Sequence, residues 1–175
     1  MYKYLLDVIK NMEGNVITIG IDDKLINGFK KNKKVNVYEI NKSENISLFQ
    51  RKKRKMSNGK NINIKKLYKY FKKKSIDYII CDYEQITKYY KYVFRDSIYL
   101  NKGKIYFYLN KNIDMDYILK YKRYNSKIEI KEYENTKLVI IDNSNSKTNK
   151  VKNILFYISD TFNNFLDFIS NILVG

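Results

Sequence analysis

Gly14-Asn-Val-Ile-Thr-Ile-Gly-Ile-Asp-Asp23 is a β-branched apolar run that stops on a glycine and passes straight into two aspartates. Val16 to Gly20 reads as a buried strand, because Val, Ile and Thr fit the pleated backbone. Asp22 or Asp23 can then cap a helix through about Lys31, with Leu25, Ile26 and Phe29 on one face. Val35-Asn-Val-Tyr-Glu-Ile40 alternates as a second strand and carries Glu39 nineteen residues after Gly20. In such a unit, backbone N–H groups at a glycine-rich turn approach a ligand, and the later acid accepts hydroxyl groups from it. The spacing of Gly20 and Glu39 fits that arrangement. The turn does not, since Gly20 is followed by Ile21, Asp22, Asp23 and Lys24.

The remaining elements extend the same pattern. Tyr2, Leu5, Leu6 and Ile9 recur at helical spacing and predict a short opening helix. Residues 42–60 lack steady periodicity and read as a long, mobile basic loop that contains Gln50-Arg-Lys-Lys-Arg-Lys-Met56. Ile62 and Ile64 suggest a short third strand, and Ile64, Leu67, Tyr68 and Phe71 a helical stripe behind it. Ile76-Asp-Tyr-Ile-Ile-Cys-Asp82 is the strongest buried strand, with a Tyr-rich helix from about Ile86 to Arg95 after it. Lys104 to Leu109 is the next strand, and Met115, Ile118, Leu119 and Tyr121 suggest another helix. Lys127 to Tyr133 and Lys137 to Asp142 are separated by only Glu134-Asn-Thr136, which forces an antiparallel hairpin. Strands alternating with helices and ending in a hairpin define an α/β fold: a mainly parallel sheet, one antiparallel strand, and helices on both faces.

Composition sets outer bounds. The 175 residues, 44% of them hydrophobic, suit one domain with a sizeable core. The absence of Pro and Trp and the excess of Lys over Arg match the codon bias of an AT-rich bacterial genome. Cys81 is the single cysteine, so no intrachain disulfide forms, and its place in an apolar strand marks it as a core residue in a reducing compartment. Met1 to Met12 is too short and too charged for a signal peptide, and no run reaches the roughly 18 apolar residues of a membrane span. These features predict a cytoplasmic protein. The net charge of +17 is segregated: residues 24–74 carry 18 Lys or Arg against Glu39 and Glu44, and the rest of the chain sums close to neutrality. Codon bias raises lysine everywhere and does not produce this segregation. A local field of this kind attracts phosphates or other anionic surfaces, although a solvated lysine-rich face would read the same way. Arg51, Lys52, Lys53, Arg54 and Lys55 are the densest part and the candidate contacts for nucleic acid or an acidic protein.

The polar stretch 143–150 reads as a linker between a domain over 1–142 and a C-terminal amphipathic helix over 151–175. Val151, Leu155, Ile158, Phe162, Phe165, Ile169 and Ile172 are spaced four and three in alternation, a heptad seam three repeats long. Ile154, Leu166, Phe168 and Leu173 widen it. Two uses stay open: docking on its own domain, or pairing in a homo-oligomer. A membrane surface is disfavoured, because the polar side offers Asp160 and Asp167 rather than a row of Lys and Arg.

Over residues 1–142 this order of elements resembles the class I S-adenosylmethionine-dependent methyltransferase family, a Rossmann-like seven-stranded sheet closed by a terminal hairpin. The residues that carry the resemblance are Val16-Ile-Thr-Ile-Gly20, Tyr38-Glu39, Ile79-Ile-Cys-Asp82, Lys102-Gly-Lys-Ile-Tyr106 and the closing hairpin. It implies S-adenosylmethionine as cofactor, with Gly20, Asp22 and Glu39 at the cofactor positions and Asp82 as the candidate catalytic residue at the end of the fourth strand. The family's first loop reads acidic-x-Gly-x-Gly-x-Gly. Here Thr18 stands at the acidic position, Gly20 at the first glycine, and Asp22 and Lys24 at the other two. Cβ atoms there obstruct close backbone approach, and Asp22 would crowd the cofactor's own carboxylate.

Members that methylate amino groups of bases or glutamine often carry Asn/Asp-Pro-Pro-Tyr after the fourth strand; this chain has Cys81-Asp-Tyr-Glu84. With no histidine, histidine-dependent acid–base or triad chemistry is excluded. Asp82 and Glu84 lack further recognisable ligands, so no metal is expected. Two functions follow: a non-catalytic binding or assembly module with a basic surface, or an active methyltransferase on an anionic substrate such as RNA.

Overall fold

The computed structural model describes residues 1–40, 53–55, 61–82, 90–111, 122–123, 125–146, 162 and 165. The first helix, α1 (Tyr2–Lys10), leads into β1 (Gly14–Ile19), α2 (Asp23–Lys31) and β2 (Val35–Ile40), as the opening stretch dictates. Then come β3 (Lys53–Lys55), β4 (Asn61–Asn63), a 3-10 turn (Ile64–Lys69), β5 (Ile76–Asp82), α3 (Tyr90–Leu100), β6 (Asn101–Asn110) and the hairpin β7 (Lys127–Glu132) and β8 (Thr136–Asp142). Six strands form one sheet in the order β2-β1-β5-β6-β8-β7. The first four are parallel, and β8 runs antiparallel to both β6 and β7. This is a methyltransferase-like Rossmann fold, mainly parallel and closed by an antiparallel hairpin.

Alternation along the strands sends side chains to two separate cores. Ile17, Ile19, Ile79, Cys81, Ile105, Phe107, Val139 and Ile141 pack with Phe94 and Ile98 of α3 and with Leu67 of the 3-10 turn. Phe94 meets Phe107 edge-on with ring centres 4.4 Å apart. On the other face Val16, Ile80, Tyr106, Tyr108, Leu138 and Ile140 lie beneath Leu5 and Ile9 of α1 and Leu25, Ile26 and Phe29 of α2. Cys81 is buried and unbridged, the core role its setting predicts.

Three expectations need correction. The strand around Ile62 does not join the large sheet: Asn61–Asn63 pairs antiparallel with Lys53–Lys55, with Arg54 opposite Ile62, as a separate two-stranded ribbon. The basic stretch expected as loop therefore contains a strand, and the large sheet has six strands among the described residues rather than seven. Ile62 gave β4 a visible trace, but the three consecutive cations of β3 carry no hydrophobic periodicity, so its partner strand leaves no pattern to read. The helix expected to end at Arg95 continues to Leu100 and passes into β6 without a loop. The helix expected over 115–121 and most of the tail lie outside the described residues. Of the tail, Phe162 and Phe165 are helical and more than half exposed.

The amino ends of the central strands are fastened by polar contacts. Asp77 accepts from the Asn15 backbone N–H at 3.0 Å and pairs with Lys102 at 3.1 Å. Gly103 is required here, because a Cβ would meet the Asp77 backbone carbonyl. Buried Asn101 donates to the carbonyls of Ile76, Asp77 and Lys104 and accepts from Asn143 at 3.1 Å. Buried Arg123 donates to the carbonyls of Ile98 and Tyr99, closing the last turn of α3.

Candidate functional site

In an open parallel sheet, ligands bind outside the carboxyl ends of the strands. There β1 gives way to Gly20, which holds a left-handed φ of +66° and donates its N–H to the Ile40 carbonyl at 3.1 Å. A residue with Cβ would be strained in that conformation, so the one glycine retained from the loop pattern is the one the turn needs. Asp22 follows in extended backbone, and its Oδ1 accepts from Leu25 N at 3.0 Å as the N-cap of α2. Glu39 lies opposite Thr18 near the end of β2 and is partly exposed. Asp82 ends β5 directly opposite Tyr108 of β6, on the sheet face covered by α1 and α2.

Two residues that the sequence did not single out complete this corner. Tyr2, at the start of α1, lies near Asp22, Asp82 and Tyr108; its phenol is pushed up to about 12, first by hydrogen bonding toward Asp22, then by burial and the charges of Asp22 and Asp82, while hydrogen bonding toward Tyr108 opposes the shift. Tyr108 is 6% exposed, and its hydroxyl lies beside that of Tyr2. Burial first, then Asp82, Tyr2 and Asp22, hold that phenol far above its ordinary range. One row deeper, the buried Thr18 hydroxyl is without a partner. Tyr2 falls in the apolar stripe of an amphipathic helix and Tyr108 in an alternating strand, so both read as core. Only their phenolic ends separate them from it.

The sequence-derived candidates thus divide. Gly20, Asp22 and Asp82 share this corner, with Glu39 at the tip of the neighbouring strand. Lys53, Arg54 and Lys55 form one strand of the ribbon, which lies against β2, and Arg51 and Lys52 are outside the described residues. Lys30, Lys31 and Lys33 are exposed around the entry to β2, and Lys34 pairs with Glu13 at 2.6 Å. Among the described residues, no group of three or more His, Cys, Asp or Glu could hold a metal ion, and no helix is long and apolar enough to cross a membrane.

No protein-family model matches the chain, and neither does any curated protein. Among solved structures it is similar to a protein-(glutamine-N5) methyltransferase (release factor-specific) from Alicyclobacillus acidocaldarius subsp. acidocaldarius, at 9% identity over 81% of this chain and 90% of that one, TM-score 0.43. It is also similar to a human methyltransferase 10 domain containing protein, at 11% identity over 83% and 79% of the two chains, TM-score 0.40. A methyltransferase from Pyrococcus furiosus matches at 13% identity over 81% of each chain, TM-score 0.35. The methyltransferase-like fold of this chain rests on its own strand order and closing hairpin.

Proposed function

We propose that this chain is a non-catalytic binding module on a methyltransferase-like scaffold, and that it contacts nucleic acid through the basic segment 24–74. The observation that carries the non-catalytic part is the commitment of Asp22. Its carboxylate stands where the resemblance expects a glycine, caps α2 through Leu25 N, and acts on the nearby Tyr2 phenol of α1. A carboxylate committed to that cap puts a negative charge where the resemblance expects a bare glycine backbone to meet a cofactor that itself carries a carboxylate. The nucleic-acid part is supported by the ribbon, which puts three consecutive cations, Lys53 to Lys55, on a strand pinned to its neighbour. A two-stranded ribbon of this kind is a known way to present cations to phosphates.

Titration with S-adenosylmethionine tests the first part. No rise in melting temperature and no calorimetric signal at about 1 mM supports it, whereas a ligand with Kd near 10 μM would add about 2.7 kcal/mol and refute it. Gly20 with its φ of +66° and Asp82 at a strand tip favour the alternative, an active S-adenosylmethionine-dependent methyltransferase acting on RNA. That reading requires the stabilisation. For the second part, RNA binding should weaken steeply with salt, and binding that ignores salt would reject it.

A further inference from the structure

We infer that residues 69–73 form a stacking site for single-stranded nucleic acid, with a base laid on the Tyr70 ring and phosphates held by Lys69, Lys72 and Lys73. The inference rests on the proposal that segment 24–74 binds nucleic acid, and it names the form bound. Local packing decides which side chains point outward. Leu67 is buried in the core beneath α3, and Tyr68 and Phe71 pack against that core. The Tyr68 N–H donates to buried Asp96 at 3.2 Å, and Phe71 meets Tyr38 edge-on with ring centres 5.1 Å apart. With these residues fixed inward, Lys69, Tyr70, Lys72 and Lys73 are exposed. Lys53 lies opposite Asn63, the residue before the 3-10 turn, so the cations of the ribbon begin at the other end of the same turn.

Tyr70 selects an unpaired strand over other anions. Among the described side chains it is the one exposed tyrosine, at 42%, and the chain has no acidic residue between Glu44 and Asp77. The rings nearby are half-buried with cations over them: Lys73 lies 5.6 Å from the centre of Tyr99, and Arg95 lies 5.6 Å and 5.5 Å from those of Tyr68 and Tyr92. Phosphates or carboxylates alone would need only the lysines. Bases in a duplex are stacked on one another, whereas an unpaired strand exposes base faces that an aromatic ring can take, whatever the sequence. Crowding of like charge adds to the preference for an anion. Burial first, then Arg123 and Lys73, hold the Lys74 ammonium below its ordinary range, and a phosphate beside it relieves that repulsion.

The test is fluorescence anisotropy of the full chain with labelled oligouridine of about ten nucleotides, within single-strand site sizes of roughly 4–16. A GC-rich RNA duplex, an abasic strand and an oligoglutamate peptide, each of the same length, are compared at one salt concentration. Oligouridine should bind about tenfold more tightly than the abasic strand or the duplex. Tyr70→Ala should lower that affinity about tenfold, a loss that vanishes with the abasic strand, while Tyr70→Phe should stay near the parent because the ring carries the stack. Tyr70 is exposed, so Tyr70→Ala should melt close to the parent, which separates lost stacking from lost folding. Equal affinity for oligouridine and the abasic strand, preference for the duplex, or parental affinity in Tyr70→Ala overturns the inference and leaves the nucleic-acid reading standing. Oligoglutamate binding as tight as that of oligouridine, or no binding of any RNA, overturns both.

Discussion

Replacing Asp22 by alanine should remove two contacts at once, and the structure gives the size of each. The first is the N-cap bond to Leu25 N at 3.0 Å, whose loss costs about 1 kcal/mol. The second is the interaction with the Tyr2 phenol; because Tyr2 and Asp22 are partly exposed, solvent screening brings it below the roughly 1.5–3 kcal/mol of bonds to charged groups, to about 1 kcal/mol. Asp22→Ala should therefore cost about 2 kcal/mol, or about 4–8 °C in melting temperature for a chain of this length. Tyr2→Phe should cost about 1 kcal/mol, and the double variant little more than Asp22→Ala, a coupling of about 1 kcal/mol. Asp22→Asn keeps a competent cap, so its cost should fall between those of the parent and Asp22→Ala.

Urea unfolding followed by far-ultraviolet circular dichroism of the four proteins measures all of these. The linkage has a definite sign: Tyr2 has a raised pKa in the folded state, so its contribution is complete below the ordinary phenol value of 10 and is lost as pH rises toward about 12. That alkaline loss should shrink in Asp22→Ala. A cost below about 0.5 kcal/mol for Asp22→Ala, or strictly additive effects of the two substitutions, would refute the view that Asp22 joins the loop to α1.

Asp96 supplies a second pH effect of opposite kind to the usual carboxylate. Burial, outweighing Arg95 and the Tyr68 N–H, raises it to about 6, so the folded chain holds the proton more tightly than the unfolded one. Stability should fall by about 3 kcal/mol as pH rises from about 4 to 6, and Asp96→Asn should flatten that slope in unfolding curves. Gly103→Ala forces a Cβ against the Asp77 carbonyl and should cost about 2–3 kcal/mol by the same assay. Arg123→Met strands the carbonyls of Ile98 and Tyr99 at the end of α3, and hydrogen exchange should show that turn opening first, at a cost of about 3 kcal/mol. Changing Lys53, Arg54 and Lys55 to Gln should reduce the salt slope of single-stranded RNA binding by about 2, which filter binding at several salt concentrations would read.

The fold was legible wherever side-chain periodicity reflects a core. The alternation of Val35 to Ile40, the unbroken apolar run of Ile76 to Asp82 and the three-residue gap in the closing hairpin each imposed one backbone solution. In the ribbon, β3 is Lys53-Arg-Lys55, which pairs with β4 without any hydrophobic alternation of its own, so only the strand around Ile62 could be read. The helix over Tyr90–Leu100 outran its expected end because Ile98 and Leu100 continue its buried face and Arg123, distant in sequence, satisfies the last carbonyls. That partner is invisible to any local reading.

By itself the sequence determined the order of the elements of the large sheet, the turn at Gly20, a helix start capped at Asp22 or Asp23, and the segregation of charge into residues 24–74. These follow from backbone sterics, periodicity and short-range hydrogen bonds. Tertiary structure alone decided that Asp22 rather than Asp23 caps α2, that Tyr2 comes close to it, and that Asp82 lies opposite Tyr108. The last two join residues many positions apart through strand register and helix docking. The chemistry of the corner therefore existed only once the sheet had assembled.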